Sequence, residues 1–196
     1  LKVENKEFDL MDISYFTVNY GQEKNYYTKF TAAIVWANCP RAQRFLGEIE
    51  RQNALKLEIF AKPILYFCFA GFLYVLYPHL KKKSFKKRGT GAEVYREVKD
   101  FISLFKTLGD RRIAFRTFCL ENIFLVHGKI KLLRSQNLVY DSELDVTVLN
   151  RPNCYRMFEP LVFNPPELFE VGWCNSKCDI WTLGVYIFLM VTGKLP

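Results

Sequence analysis

The run Lys-Cys-Asp-Ile-Trp-Thr-Leu-Gly-Val at positions 177–185 decides the fold of this chain. The tripeptide Pro-Pro-Glu precedes it at positions 165–167, which puts Glu167 twelve residues before Asp179. A Trp and a Gly in an apolar helix usually indicate core packing and nothing more. In this order and at this spacing, the two pieces are more specific than either alone. They predict a turn that ends at Glu167 and a helix that begins near Asp179, apolar on nearly every side over residues 180–191 and therefore buried.

These two motifs resemble the C-lobe of protein kinases, in which an Ala-Pro-Glu-type turn closes the activation segment and Asp-x-Trp-x-x-Gly opens a buried helix. The resemblance covers roughly residues 8–196 and implies an α+β fold of two lobes. It assigns residues 1–79 to a β-rich N-lobe, with a five-stranded sheet, one helix and the hinge. Residues 80–196 form a partial, helical C-lobe, and the two lobes make one kinase-like domain. Because the kinase C-lobe continues past its central helix, we expect the chain to be truncated there.

The catalytic loop of an active kinase reads His-Arg-Asp, followed five residues later by Asn. The Asp accepts the proton of the substrate hydroxyl, and the Asn holds a magnesium ion. Here Arg116 and Asn122 match, but Thr117 stands at the position of the base. A Thr hydroxyl is a poor proton acceptor near neutral pH. The resemblance therefore predicts no phosphoryl transfer by the usual route. Arg116 is interpreted as structural, near Asp179, with a phosphorylated loop residue as its alternative partner.

The other parts of the kinase site are replaced as well. Arg134 stands where the magnesium-binding Asp of Asp-Phe-Gly is expected, and a cation cannot ligate a cation. We interpret it as an exposed loop residue, with a metal-free phosphate contact as the alternative. The position of the phosphate-pairing Lys holds Val35, or Trp36 if the register slips by one, and residues 1–35 contain only Gly21 for a glycine-rich loop.

A helix is predicted over residues 41–57 from its apolar spacing. Its predicted buried face comprises Ala42, Phe45, Ile49 and Leu55. In a kinase, a Glu on this helix pairs with the phosphate-binding Lys, and the candidates here are Glu48 and Glu50. Because no Lys is available to pair with them, we expect both to be solvated.

Four features narrow the kinase resemblance to one group of kinase-like proteins. They are the absent glycine loop, the Phe-Arg-Thr catalytic loop, the Leu-Tyr-Pro-His-Leu run at 76–80 and the Pro-Pro-Glu turn. Together they resemble the secreted rhoptry and dense-granule kinase-like proteins of apicomplexan parasites. The likeness is to the branch that lacks the glycine loop and includes pseudokinases of the bradyzoite cyst wall. The resemblance implies a protein-binding scaffold of the parasitophorous vacuole or cyst wall, with no enzyme activity and no cofactor. The alternative is a divergent kinase or nucleotide-binding regulator using non-standard residues, supported by Asn122.

The apolar residues 64–77 predict a hairpin of two buried strands, 64–69 and 72–77, which turns at Ala70 and Gly71. The chain has six cysteines, of which Cys68 and Cys119 are predicted to be buried thiols. Three more cluster towards the C-terminus, and a disulfide between Cys154 and either Cys174 or Cys178 would suit an oxidising compartment.

The net charge is +8, and much of it lies in one basic run just past the hinge. The run comprises Lys81, Lys82, Lys83, Lys86, Lys87 and Arg88. It is interpreted either as a solvated loop or as a surface that attracts an acidic protein or an anionic membrane. Nucleic acid is excluded as a partner because no base-reading or stacking pattern accompanies the charges. A helix follows, with an apolar side predicted to consist of Val94, Val98, Phe101, Ile102, Phe105 and Leu108.

Overall fold

The computed structural model of the chain describes residues 2–10, 13–20, 28–85, 90–115, 120–135, 138–140, 161–167 and 177–196. The elements in chain order are β1 (Lys2–Leu10), β2 (Ile13–Tyr20), β3 (Thr28–Trp36), α1 (Pro40–Leu55), β4 (Leu65–Phe69), β5 (Phe72–Pro78), β6 (Lys81–Lys82), α2 (Gly91–Asp110), β7 (Ile113–Ala114), β8 (Ile123–Val126), β9 (Lys129–Leu132), β10 (Val139–Tyr140) and α3 (Cys178–Thr192). Short 3-10 turns cover Leu120–Asn122 and Leu161–Phe163. The chain divides into two units, Leu1–Lys82 with Glu121–Arg134, and Lys83–Leu120 with Ser135–Pro196.

The first unit is built on a five-stranded antiparallel sheet in the order β1-β2-β3-β5-β4. A smaller sheet, in the order β6-β8-β9, brings Glu121–Arg134 into this unit. Its strand β6 pairs Lys81 with Leu125, and an isolated bridge joins Phe60 to Leu132. The sequence predicts a lobe boundary between residues 79 and 80, which assigns Glu121–Arg134 to the second lobe. That lobe boundary stays a prediction.

Helix α1 follows β3 and confirms the predicted helix and its buried face. Pro40 occupies the first turn, where a missing N–H costs nothing, and the Cys39 sulfur accepts a hydrogen bond from the Ala42 N–H at 3.4 Å. The helix ends at Leu55 because Lys56 takes the left-handed conformation, with φ of 53°. Besides the four predicted apolar residues, the buried side includes Glu48 and Gln52. Spacing of three and four residues places both on the stripe that begins at Phe45.

Strands β4 and β5 form the predicted hairpin, with Ala70 and Gly71 at its turn in positive-φ conformations of 48° and 79°. The turn fits the primed type that matches strand twist. The prediction that both strands are buried is wrong for β4, whose five residues are all exposed because it is the edge strand of the sheet. Cys68 lies in β4 and is therefore exposed, not buried as predicted. Cys119 lies outside the described residues.

The second unit contains α2 and α3. Helix α2 begins with a capping box, in which Thr90 and Glu93 bond reciprocally to each other's backbone N–H. Its buried side is Glu97, Phe101, Leu104, Phe105 and Leu108. Ile102, predicted on that side, is 52% exposed because it lies one residue off the stripe.

Helix α3 confirms the helix that the opening motif predicts, beginning one residue before Asp179. Its burial is incomplete, because the chain leaves an apolar side of it exposed. The exposed residues are Ile180, Trp181, Phe188 and Val191. Among the described residues, no helix combines the length and the apolarity needed to cross a membrane.

Candidate functional site

The centre of the first unit holds a buried ion pair between Arg134, just after β9, and Glu48 of α1. The Arg134 Nη2 and Nε atoms lie 2.7 Å and 2.8 Å from Glu48 Oε2. The two side chains are only 5% and 2% exposed. Arg134 Nη1 donates to the Leu10 carbonyl of β1 at 3.3 Å, and its guanidinium carbon lies 4.9 Å from the centre of the Phe45 ring. Predictions of a solvated Glu48 and an exposed Arg134 are therefore wrong, since each neutralises the other inside the core.

The surroundings of the pair are apolar or neutral, so both charges depend on each other. Burial tends to lower the pKa of Arg134, but the Glu48 carboxylate more than offsets this and holds that pKa above its ordinary value. Two tyrosines of the same unit are fully buried, and burial raises the pKa of both Tyr15 and Tyr77 well above the usual phenol value. Arg134 is therefore permanently charged and both phenols stay neutral at any ordinary pH.

Asn122 fixes the backbone that carries Arg134. Its Oδ1 accepts the N–H groups of Leu133 at 3.0 Å and Arg134 at 2.6 Å, and its Nδ2 donates to the Arg134 carbonyl at 2.7 Å. Gln52 of α1 donates to the Leu133 carbonyl at 3.1 Å. An amide oxygen has two lone pairs, and both of those on Asn122 accept a backbone hydrogen bond. The residue is 1% exposed and works here as a structural clamp.

The other predicted site residues of the first unit differ in how exposed they are. Val35 is 6% exposed, whereas the adjacent Trp36 is 64% exposed and points to the opposite face of the sheet. Of the two, Val35 is thus the inward residue, and it brings no charge into the unit. Glu50 is exposed, as predicted, so only Glu48 takes part in an ion pair within the described part of α1. Gly21 lies outside the described residues.

The Pro-Pro-Glu tripeptide and the motif around Asp179 both lie in the second unit. Asp179 is 3% exposed, and its Oδ2 accepts the Phe115 N–H at 2.8 Å. The next turn of α3 holds the 3-10 turn that precedes Pro-Pro-Glu, because Trp181 Nε1 donates to the Val162 carbonyl at 3.0 Å and Thr182 Oγ1 to that of Phe163 at 3.1 Å. These bonds join the first turns of α3 to the segment just before Pro-Pro-Glu.

Several predicted residues can be placed only in part. Glu167 is exposed, and its Oε1 lies 3.9 Å from the Cys178 sulfur, which is itself buried. Arg116, Thr117, Cys154 and Cys174 lie outside the described residues. The disulfide and the degenerate base therefore stay predictions.

The lysines of the basic run differ in their exposure and in their contacts. Lys81 and Lys82 are exposed on β6, whereas Lys83 is 14% exposed and pairs with Glu97 of α2, Nζ to Oε1, at 2.5 Å. The other carboxylate oxygen of Glu97 accepts the Tyr186 hydroxyl at 3.2 Å. Lys83 is therefore partly buried and engaged with Glu97, and its place in a partner surface stays a prediction. Three further residues of the run, Lys86, Lys87 and Arg88, lie outside the described residues.

Several known protein kinases are similar in sequence to this chain. The chain is 30% identical over 129 residues to the MAP kinase-interacting serine/threonine-protein kinase 1 of Xenopus laevis, which covers 59% of this chain and 29% of that protein. It is 26% identical over 123 residues to sperm motility kinase 3A of Mus musculus, covering 62% and 22%. It is 29% identical over 101 residues to the serine/threonine-protein kinase stk11 homolog of Dictyostelium discoideum, covering 50% and 17%.

The fold is protein kinase-like. The chain spans less than a third of the length of each of these kinases, and no protein-family model matches it. The sequence predicts that Arg134 stands at the position of the magnesium-binding Asp and that Glu48 lies on the helix that supplies the ion-pairing Glu, and both correspondences stay predictions. Sequence reasoning named both residues but did not join them. The sequence does contain a signal for the burial of Glu48. Its spacing from Phe45 and Gln52 puts all three residues on the buried side of α1.

Proposed function

We propose that this kinase-like chain is a pseudokinase that works by binding other proteins and does not transfer phosphate. The observation that carries the proposal is the buried guanidinium of Arg134, which bonds Glu48. The sequence assigns position 134 to the Asp that holds magnesium in a kinase. The metal bridges the phosphates and neutralises the charge that develops on transfer. A fixed cation at this point repels the metal and offers it no ligand.

The state of Asn122 supports the same proposal. In a kinase, this Asn is the second protein ligand of the magnesium ions. Here its amide oxygen already accepts two backbone N–H groups, so no lone pair remains for a metal. The match of Asn122 to the catalytic motif therefore has a structural explanation, which weakens the support for a divergent kinase. Val35 at the Lys position and Thr117 at the base position add two further replacements from the sequence.

The partners and the compartment are proposed from the family resemblance and the charge. A secreted scaffold of the parasitophorous vacuole or cyst wall would bind a protein, or an acidic or anionic surface through the exposed Lys81 and Lys82. Imaging of an epitope-tagged protein in infected cells tests the compartment. Binding to phosphatidylserine vesicles, compared between the unchanged chain and a Lys81→Glu/Lys82→Glu variant, tests the anionic surface.

The main experiment is a thermal-shift titration of the chain with ATP at millimolar concentration, with and without Mg²⁺ or Mn²⁺. A nucleotide present at a hundred times its Kd would stabilise the native state by about 2.7 kcal/mol. For a domain of this size, that would raise the Tm by roughly 5–10 °C. We expect no shift and no transfer of labelled phosphate to a generic substrate, while an active kinase run in parallel shows both.

Two outcomes would contradict the proposal in different ways. A metal-dependent shift accompanied by phosphate transfer would show a divergent kinase. A shift without transfer would identify a nucleotide-binding regulator.

A further inference from the structure

The edge of the five-stranded sheet is an uncovered strand. Strand β4 pairs on one side with β5, and among the described residues no strand pairs with its other side. All five of its residues are exposed, including Tyr66 and Cys68, which alternate with the residues of the opposite face. An edge strand of this kind presents unpaired backbone N–H and C=O groups along its length.

The side chains of this edge are apolar. On one face, Leu65 lies opposite Leu76 of β5, and Phe67 and Phe69 lie opposite the β5 aromatics. The Phe67 ring stacks on Tyr74 with 5.2 Å between centroids, and Phe72 in turn lies 4.1 Å from Trp36. Residues 64–77 include no charged residue. Proteins usually protect an edge strand with charges, Pro or a bulge inside the strand, and none of these occurs in β4.

The amount of exposed apolar surface is large for a solvated edge. Five side chains on the strand or directly before it are between 39% and 68% exposed: Ile64, Leu65, Tyr66, Phe67 and Phe69. With about 200 Å² for each complete side chain, this amounts to roughly 500 Å² per copy. Two such edges supply roughly 1,000 Å², the area that a specific interface between proteins needs at the least.

We propose that β4 pairs antiparallel with β4 of a second copy, giving a two-fold symmetric dimer whose sheet continues through ten strands. A second copy fits better than another partner for two reasons. Identical uncharged edges are complementary in backbone and in side-chain chemistry, and an antiparallel pair of identical strands closes on itself, so assembly ends at two. The pairing provides each unsatisfied backbone group of the edge with a partner. This inference concerns the sheet edge alone and is independent of the proposed loss of catalysis.

The length of the strand sets the register. Pairing all five residues places the two-fold axis at Phe67, with Tyr66 of one copy opposite Cys68 of the other. The two Cys68 residues are then diagonal neighbours, whose separation in an antiparallel pair is about 7–8 Å. A short thiol-to-thiol crosslinker spans that distance. Cys68 therefore reports on this register directly.

The exposed side of α3 is the rival surface for self-association. It carries Ile180, Trp181, Phe188 and Val191. A helix has its backbone bonds internally satisfied, so this side offers apolar contact but no directional pairing. Nothing in the described residues indicates what covers it. The experiment must therefore separate the two surfaces.

The test is sedimentation velocity of the chain at micromolar concentrations, with three variants. We expect a dimer for the unchanged chain, and at least a hundredfold weaker association for Tyr66→Lys/Phe69→Lys, because each lysine occurs twice across a two-fold interface. Tyr95→Lys is the matched control, since Tyr95 is 72% exposed on α2 and its replacement should leave the dimer intact. Phe188→Lys tests the α3 side and should also leave it intact.

Crosslinking keeps the proposal testable if the strand variant does not fold. A bismaleimide of short span should trap the unchanged chain as a covalent dimer, and Cys68→Ser should remove that product. The proposal is overturned if the chain sediments as a monomer throughout, if Phe188→Lys dissociates the dimer while the strand variant does not, or if the covalent dimer persists in Cys68→Ser.

Discussion

Removing one member of the Glu48–Arg134 pair should destabilise the fold severely. We consider Arg134→Met, which keeps the length of the side chain and removes its charge, leaving the Glu48 carboxylate alone in the core. At 2.7 Å and an effective dielectric constant of 20, the attraction lost is about 6 kcal/mol before desolvation is counted. Measured losses from breaking buried pairs are about 3–5 kcal/mol. We expect a loss in that range, a large share of the roughly 5–15 kcal/mol that stabilises an ordinary domain.

The assay is urea unfolding followed by circular dichroism, with the four members of a double-mutant cycle. The double variant Glu48→Leu/Arg134→Met removes both charges, and it should recover most of the stability that either single change loses. The control is Lys62→Met, which breaks the Glu58–Lys62 pair at the same 2.7 Å but with side chains 82% and 52% exposed. That change should alter the stability very little, because solvent screens an exposed ion pair. An Arg134→Met loss no larger than that of Lys62→Met would refute the reasoning, as would a double variant no more stable than the singles.

Three further predictions use the same unfolding assay. Asn122→Ala removes three side-chain hydrogen bonds to buried backbone groups, although the Leu133 N–H keeps its bond to the backbone carbonyl of residue 122, and it should cost at least about 2 kcal/mol, whereas a loss below about 1 kcal/mol would contradict its role as a clamp. Asp179→Ala removes the hydrogen bond between the carboxylate and the buried Phe115 N–H and should cost about 1–3 kcal/mol, with Asp179→Asn recovering part of it. Burial and then Glu97 raise the pKa of Tyr186, so the contribution of this tyrosine to stability is complete below about pH 10 and should fall by up to about 1.4 kcal/mol per pH unit above it, in addition to the contributions of Tyr15 and Tyr77. Tyr186→Phe should show a shallower decline, and an unchanged slope would contradict this assignment.

Local features of the fold were predictable from the sequence because the residues that cause them are neighbours. The apolar stripe from Phe45 gave α1 and its buried side, and Ala70-Gly71 gave the β4–β5 turn. The spacing between Pro-Pro-Glu and Asp179 placed the start of α3 to within one residue, because side chains in its first turns bond the segment just before that tripeptide.

Long-range features were not predictable in the same way. Glu48 and Arg134 are 86 positions apart in the sequence, and no local sequence pattern indicates that their side chains form an ion pair. Burial of β4 failed for a similar reason, because an apolar strand reads alike at the edge and in the centre of a sheet. Ile102 shows the limit of a helical stripe, where one position decides between core and solvent.

The Glu48–Arg134 pair also constrains the evolutionary routes open to this chain. If its ancestors had a magnesium-binding Asp at position 134, the single reversal Arg134→Asp would now set two carboxylates against each other in a core that excludes water. Such an intermediate would be selected against for stability before any catalysis could be regained. The proposed loss of the metal site would thus be maintained by the stability of the fold, independently of any selection on function.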